Sequence, residues 1–372
     1  MGTAIKDRFD VVRDIGTSGF QLAPDGKKAL QKGDGSGCEN WIPLLKERPK
    51  DTPFFLWLAA VDPHRPYTDG IINMPHTADD VILPPYFPDT PSVRNDFAHY
   101  YDEIGRLDDY VGKVIAELDK QGVSDNTLIL FISDNGRPFP RDKTTLYDGG
   151  IKTPWIVKWP KKVKPKSSCK SLVSAVDIAP TFLKLAGLES IPSFEGKDFS
   201  GLLTDPTASI REKIYAEDHW HDYEDYARAI RTKRFKYIRN FYPDLPNTPS
   251  ADAFVSETFT AMCEMKEKNQ LTEAQLACFT SPRSDEELYD IFEDPYELNN
   301  LVADSDYLES LDGMRLQMKE MRSLTKDTLP AFRTPDEFDR VTGKPNSFRQ
   351  RPRPSKKEMK KIILKNLQGN DK

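Results

Sequence analysis

The sequence predicts an α/β fold with a mixed, largely parallel sheet and flanking helices, followed by a small C-terminal subdomain built on an antiparallel sheet. The apolar runs Phe54–Ala60 and Leu128–Ile132 are typical of strands buried on both faces. Between them, residues 97–122 repeat apolar side chains at helical spacing and end at a glycine. Strand, helix and strand in this order indicate a parallel sheet, so we expect the two strands to be parallel neighbours or near neighbours.

The elements that follow complete a first domain, which we place at residues 1–212. The segment 154–160 (PWIVKWP) predicts another strand. The segment 176–188 predicts a short helix, with Asp177 as its N-cap and Gly187 as its C-cap.

The second domain, residues 213–332, has a different composition. The segment 226–241 mixes apolar and basic residues and predicts a hairpin that turns near Thr232–Arg234. Residues 304–326 predict a helix whose apolar stripe consists of Leu308, Leu311, Met314, Met318 and Met321. We interpret this domain as a helix packed on a small antiparallel sheet, with the methionine stripe in its core.

The last segment, residues 333–372, is basic. From residue 351 onward it has eight Lys or Arg against two Asp or Glu. We interpret it as a flexible tail, and the alternative is a segment that binds polyanions.

Composition argues against several classes of protein. The net charge of −6 and the mixture of both signs are untypical of a protein that binds nucleic acid. No apolar run approaches the roughly 18 residues that span a bilayer, and the first residues show no secretory signal. The four cysteines are too scattered for a zinc site; Cys263 and Cys278 could pair, but we favour buried free thiols. The oligomeric state stays open, a homodimer included.

Polar residues suited to chemistry follow two of the predicted strands. His64, in a stiff proline-flanked turn, follows the first strand, and Asp134 and Asn135 come directly after the second. Because ligands of open α/β sheets bind outside the carboxyl ends of the strands, we expect these side chains to lie together. Asp and Asn oxygens suit Ca²⁺ or Mg²⁺, and the alternative is an ordinary Asn-Gly turn. Lys143, in the following loop, is either an anion-binding group or a solvated charge.

Five segments, in their order along the chain, resemble the sulfatase family of the alkaline-phosphatase superfamily. They are PFFLWLAAVDPHRPY, TLILFISDNG, LYDGGIKTPWIVKWP, VDIAPTFLKLAG and LYDIFEDPYELNNL. The resemblance extends from about Phe9 to about Leu329. The segment 82–112 and the sequence SDNGRPFP are similar to the sulfamidase branch, whose members cleave N-sulfated glucosamine.

The resemblance implies an alkaline-phosphatase-like fold and a hydrolase that removes sulfate from sulfated sugars, either an O-sulfate ester or N-sulfoglucosamine. It implies that Asp134 and Asn135 belong to a calcium site, that Lys143 holds the sulfate, and that His64 touches the sulfate and the leaving group. It also implies a location in the periplasm, in secretions or in lysosomes. His219 and His221, the one close pair of histidines, then become candidates for contact with the sugar; a solvated surface loop is the alternative.

One feature of the family is missing. The sulfatase nucleophile is a formylglycine made from Cys or Ser in a C/S-x-P/A-x-R motif, and no Cys or Ser of this sequence lies in such a motif. Two further calcium-binding aspartates, a lysine and a histidine also precede, in the family, the point that resembles residues 8–12 here. We therefore expect a sulfatase without its N-terminal third, with a partial Ca²⁺ site, a formylglycine expected from a segment outside this sequence, and little activity as given.

Two alternatives stay open. A phosphatase or phosphodiesterase of the same superfamily would use two zinc ions and several histidines, and the five histidines argue against it. A catalytically inactive protein that binds sulfated glycans is the second alternative. A C-x-P-x-R motif in frame upstream of the start codon would distinguish the enzyme from the inactive protein.

Overall fold

A computed structural model describes residues 35–347 and divides the chain into two compact units. Among the described residues, the first unit comprises residues 35–81 and 97–125, and the second comprises residues 82–96 and 126–347. No helix within residues 35–347 is both long enough and apolar enough to cross a membrane.

Two helices organise the first unit. They are α1, Trp41–Glu47, and α2, Pro91–Lys120, whose first residues belong to the second unit. Trp41 meets Tyr110 edge to face, with ring centroids 6.3 Å apart. The predicted long helix is confirmed, and Gly122 follows it with a φ of +70°, a left-handed conformation that glycine adopts without a Cβ clash.

The predicted strand Phe54–Ala60 is not a strand of any sheet among the described residues. Exposure alternates along the segment, and the side chains of Phe55 and Trp57 are each 58% exposed. The prediction was wrong because a run of consecutive apolar residues does not show how many of its faces are covered. The expected parallel neighbour of Leu128–Ile132 is therefore absent from the described sheets.

The second unit contains a two-stranded sheet made of β1, Ile129–Ile132, and β2, Trp155–Lys158. Both strands were predicted, but they pair antiparallel, with Leu130 opposite Val157. These two side chains share one face of the sheet and pack on a buried cluster around Phe199. The connection between them contains only a four-residue helix, Asp148–Ile151, and no long crossover helix, so this pair of strands corrects the expected largely parallel arrangement.

A four-stranded antiparallel sheet forms the centre of the same unit. Its strands, in spatial order, are β3 Lys213–Trp220, β4 Glu224–Thr232, β5 Phe235–Asn240 and β6 Glu286–Asp290. Ala229 and Ile238 pair across β4 and β5 and are almost fully buried. The hairpin between β4 and β5 turns where the sequence predicts it, and the predicted C-terminal antiparallel sheet is confirmed.

A long helix, α8, Leu308–Leu324, packs against this sheet. Leu311, Met314 and Met318 are at most 4% exposed and lie in the core beneath the sheet. The predicted helix and its methionine core are confirmed, although Leu308, at the start of the stripe, is 52% exposed.

Shorter helices complete the second unit. They are α3 Asp148–Ile151, α4 Ile178–Leu185, α5 Ala251–Phe254, α6 Glu257–Glu267 and α7 Glu273–Leu276. Gly187 lies after α4 with a φ of +74°, as predicted for its C-terminal cap. Asp177 precedes α4, but its buried carboxylate accepts from the backbone N–H groups of Ser174 and Lys197 instead of capping that helix.

Candidate functional site

Asp134 and Asn135 lie directly after β1, in a tight turn. The Ser133 hydroxyl donates to the backbone carbonyl of Asn135 at 2.9 Å, and the Asn135 amide nitrogen donates to the carbonyl of Gly136 at 2.7 Å. The Asp134 side chain is exposed, and no group within residues 35–347 hydrogen-bonds or ion-pairs with its carboxylate. The turn therefore presents one carboxylate and one amide oxygen to a ligand.

The turn needs glycine after Asn135. The backbone N–H of Gly136 donates to the carbonyl of Gly150 at 2.8 Å, which ties the turn to α3. A Cβ on Gly136 would lie 1.8 Å from the carbonyl oxygen of Gly149, far inside any real contact. The Asn-Gly sequence is thus required by the close approach of two backbone segments.

Lys143 is a buried group and not a solvated charge. Its side chain is 9% exposed, and its ammonium lies 2.9 Å from a carboxylate oxygen of Asp252 at the start of α5. The loop around it is anchored by Asp142, whose carboxylate accepts from the Tyr86 hydroxyl at 2.8 Å. Burial raises the pKa of Asp142. No local pattern in the sequence indicates Asp252, because the ion pair joins residues 109 positions apart.

His64 lies in the first unit, in a turn that hydrogen bonds from the neighbouring helix α2 hold in place. Its Nδ1 atom is 2.6 Å from the backbone carbonyl of Arg65. The neighbouring Asp62 receives two hydrogen bonds of 2.7 Å from the buried Arg106 of α2. This fork-shaped pair fixes the turn that presents the imidazole. The sulfate-binding role of His64, and its expected proximity to Asp134 and Asn135 in the second unit, stay predictions.

The two histidines near the end of β3 have different surroundings. His219 meets the carboxylate of Glu217 at 2.8 Å and packs edge to face on Tyr226. His221 lies beyond the strand, and its Nδ1 atom is 2.9 Å from a carboxylate oxygen of Asp222. His221 lines a pocket.

A chain of hydrogen bonds connects His221 with Lys143. The Asp222 oxygen that faces His221 also accepts from the backbone N–H of Ala251, at 2.8 Å. Ala251 and Asp252 are the first two residues of α5, and Asp252 holds the Lys143 ammonium. The structure thus brings together two of the predicted site residues, through a helix that the sequence did not single out.

The pocket beside this chain is lined mostly by acidic and hydroxyl-bearing side chains, and we call it the acidic pocket. Its walls include Thr144, Asp218, His221, Asp222, Tyr223, Glu224, Asp225, Ser250 and Arg340. Burial, and then the neighbouring carboxylate of Asp225, raise the pKa of Asp218 to about 7. Many of these acidic residues come from the segment EDHWHDYEDY, residues 217–226, of which the sequence prediction used only the two histidines.

The donors at the end of β1 fit a calcium ion in kind but not in number. Asp134 and Asn135 offer hard oxygen atoms, whereas Ca²⁺ takes about six to eight. Within residues 35–347 there is no group of three or more His, Cys, Asp or Glu side chains that could hold a metal ion. The described residues therefore supply a fragment of a donor set.

Two family profiles match the chain. A profile described as Sulfatase covers residues 34–188, and one described as N-sulphoglucosamine sulphohydrolase, C-terminal, covers residues 139–249. The two overlap on the loop that contains Lys143.

Curated relatives are longer than this chain. An ulvan-active sulfatase of Formosa agariphila is 35% identical over 240 residues, which are 63% of this chain and 39% of that protein. The N-sulphoglucosamine sulphohydrolase of Homo sapiens is 31% identical over 318 residues, which are 74% of this chain and 62% of that protein. The chain thus spans less than two thirds of the length of either relative.

A solved structure supports the fold. A Bacteroides thetaiotaomicron protein, determined in work on the metabolism of multiple glycosaminoglycans, matches 78% of this chain and 58% of its own, with a TM-score of 0.58 and 23% identity. A likeness at this identity shows the fold alone. It confirms the predicted fold class, although both described sheets are antiparallel.

Proposed function

The chain belongs to the sulfatase family, and on that premise we propose that the protein acts in the hydrolysis of sulfated sugars, with N-sulfated glucosamine as a substrate. The observation that supports this best is the buried ammonium of Lys143, held 2.9 Å from Asp252 beside the acidic pocket. A positioned, poorly hydrated cation is what an enzyme needs to bind a sulfuryl group and to stabilise the charge on its oxygens.

In this proposal Lys143 binds the sulfate. The reaction transfers a sulfuryl group: a nucleophile attacks sulfur, the S–O or S–N bond breaks, and the sugar leaves as an alcohol or an amine. The leaving atom requires a proton, which we assign to His64. The nucleophile expected in this family is a formylglycine, and the sequence contains no C/S-x-P/A-x-R motif that would form it.

Asp134 and Asn135 are the proposed calcium ligands of this chain. A bound Ca²⁺ would stabilise negative charge on the sulfuryl oxygens. The exposed carboxylate of Asp134, without a protein partner among the described residues, supports this assignment. Because the donor set is a fragment, we assign no step of the reaction to the metal.

Sulfate binding tests the proposed function. Titration calorimetry of the chain with sodium sulfate and with N-sulfoglucosamine should show binding that Lys143→Ala abolishes and that Lys143→Arg largely keeps, since arginine also binds oxyanions through several N–H groups. Lys164→Ala, which removes an exposed lysine of the same unit, should leave both affinities unchanged. Equal affinities in Lys143→Ala and the parent chain would contradict the proposal.

A further inference from the structure

Two cysteines of the second unit lie in segments that pack directly on each other. Cys263 belongs to α6, and Cys278 belongs to the short 3₁₀ turn that follows α7. The ring of Phe279, in the same turn, stacks on the ring of Phe259 of α6, with centroids 5.4 Å apart and planes 16° apart. The ammonium of Lys266, also on α6, lies 4.6 Å from the centroid of the Phe279 ring. The turn therefore contacts α6 at residues that come before and after Cys263.

The spacing along α6 places Cys263 on the face that meets this turn. Cys263 follows Phe259 by four residues and precedes Lys266 by three, and side chains at these spacings lie on one face of a helix. Cys278, next to Phe279 in the chain, is 3% exposed, and Cys263 is partly buried. The two thiols thus lie at one interface, between α6 and the turn.

One of the two thiols affects the ionisation of the other, which indicates that they are close. Burial raises the pKa of Cys278 to about 12, and the charge of Cys263 is the next largest cause. Burial likewise raises the pKa of Cys263, and Lys266 opposes that rise. A charge changes the pKa of another group appreciably only across a short distance, since the Coulomb energy falls with separation and solvent screens it. Both residues are free thiols in the structure, so the pair is available for covalent chemistry.

We propose that Cys263 and Cys278 form a disulfide bond when the chain folds in the presence of a disulfide oxidant such as oxidised glutathione. The Cys263 thiolate attacks one sulfur of oxidised glutathione and expels one glutathione thiolate. The Cys278 thiolate then attacks the Cys263 sulfur of this mixed disulfide and expels the second glutathione thiolate. The two protein thiols lose two protons and two electrons, and one glutathione disulfide takes them up to become two glutathione thiols.

Folding is the stage at which this bond forms fastest. Thiols react as thiolates, and the raised pKa values of both cysteines leave few thiolates at neutral pH once the interface is formed. The buried Cys278 is also out of reach of a bulky oxidant in the folded chain. In the unfolded chain both thiols are accessible and have ordinary pKa values. After folding, the same burial protects the bond from reductants.

The bond would stabilise the helices beside Lys143. Phe259 of α6 packs on Phe254 of α5, with ring centroids 4.8 Å apart, and Asp252 of α5 holds the Lys143 ammonium. A disulfide stabilises a folded protein by reducing the conformational freedom of the unfolded chain. The bond therefore stabilises the pair of helices α5 and α6 without involving any residue that the proposed function assigns to sulfate.

Refolding of the full chain tests the proposal. The chain is unfolded in urea and refolded either with dithiothreitol or with a mixture of reduced and oxidised glutathione. We expect the glutathione sample to contain a bond between Cys263 and Cys278 in peptide maps. Its thermal unfolding midpoint should lie roughly 5–10 °C above that of the reduced sample. Hydrogen exchange of residues 251–267 should be slower in the oxidised sample, because the helices that they form open less often.

Two variants are the controls for this experiment. Cys263→Ser, at the less buried of the two positions, should form no disulfide within the chain and should have the same midpoint under both conditions. Cys169→Ser, which removes an exposed thiol, should still form the bond and show the full rise of the midpoint. The folded chain, oxidised with glutathione disulfide without urea, should reach the same bond more slowly, so the test does not depend on refolding.

Several outcomes would overturn the proposal. They are glutathione adducts without a disulfide within the chain, a disulfide that involves Cys38 or Cys169 instead, and a midpoint that oxidation lowers. A lowered midpoint would show that the bond distorts the interface between α6 and the turn, because a disulfide tolerates only a narrow range of geometries. None of these outcomes bears on sulfate binding by Lys143, which the calorimetric titrations test separately.

Discussion

The ammonium of Lys143 and the carboxylate of Asp252 form an ion pair of 2.9 Å between side chains that are 9% and 17% exposed. Poor hydration makes such a pair sensitive to the loss of one partner, because the remaining charge is then buried beside fewer opposing charges. Asp252 thus holds the ammonium of Lys143 in a fixed, poorly hydrated position. We regard Asp252 as a positioning residue.

Asp252→Ala should lower the free energy of unfolding by about 3 kcal/mol, the lower end of the range for breaking a buried pair. Urea unfolding followed by circular dichroism measures the change. Asp244→Ala is the control, since Asp244 pairs with Arg333 at 2.6 Å at the surface, where ion pairs contribute roughly 0–1 kcal/mol. If the two variants lose equal stability, Lys143 does not depend on Asp252.

A glycine substitution tests the turn that carries Asp134 and Asn135. Gly136→Ala places a Cβ 1.8 Å from the backbone oxygen of Gly149, so the turn must shift, and we expect a loss of ~3 kcal/mol or more. Gly112→Ala, in the interior of α2 with nothing within 4 Å of the new Cβ, should instead stabilise the protein by ~0.5–1 kcal/mol.

Luminescence of bound Tb³⁺, a substitute for Ca²⁺, reports the function of the same turn. Gly136→Ala should weaken this signal, and Gly112→Ala should not change it. A Tb³⁺ affinity in Gly136→Ala equal to that of the parent chain would separate the turn from metal binding.

Stability should depend on pH through Asp218, whose pKa is raised to about 7 by burial and by Asp225. An unfolded aspartate has a pKa of ~3.9, so between about pH 4 and pH 7 the folded protein binds more protons than the unfolded chain, and stability falls as pH rises. Asp218→Asn removes this dependence. The variant should gain up to a few kcal/mol over the parent chain above pH 7, and the gain should vanish below about pH 4.

Urea unfolding of both proteins from pH 4 to pH 8 checks this prediction. Asp312→Ala, which removes an exposed carboxylate of α8, is the control and should show no such difference between the two ends of the range. A constant stability difference between Asp218→Asn and the parent chain at every pH would show that Asp218 keeps an ordinary pKa.

Local patterns in the sequence predicted which segments form helices and strands better than they predicted which strands pair. The helix α2, the hairpin of β4 and β5, and the methionine core under the sheet follow from periodicity and turn residues, which are properties of neighbouring positions. The antiparallel pairing of β1 with β2 was missed. Whether two strands run parallel or antiparallel depends on contacts between segments that are distant in the sequence.

In the candidate site, too, the sequence indicated single residues but not the distant residues that pair with them. Asp134 and Asn135 were predicted because they follow a strand, and Lys143 was assigned through the resemblance to the family; the roles of all three stay predictions. Asp252 and Ser250 were missed, since α5 is a four-residue helix whose position beside Lys143 depends on the long segment between β5 and β6. Sequence patterning identifies groups that chemistry can use, whereas the partners that position them come from folding at long range.

The last prediction concerns activity. The 372 residues contain no C/S-x-P/A-x-R motif, so we expect no hydrolysis of 4-methylumbelliferyl sulfate or N-sulfoglucosamine by this chain as expressed. Any upstream coding sequence that carries such a motif, expressed with a formylglycine-generating enzyme, should give turnover. In that protein Lys143→Ala and His64→Ala should each lower kcat by roughly 10²–10³, the usual effect of removing one preorganised group. Lys164→Ala is again the control for the loss of a surface charge. Turnover by the 372-residue chain alone would mean that another residue is the nucleophile, and it would refute the assignment of formylglycine.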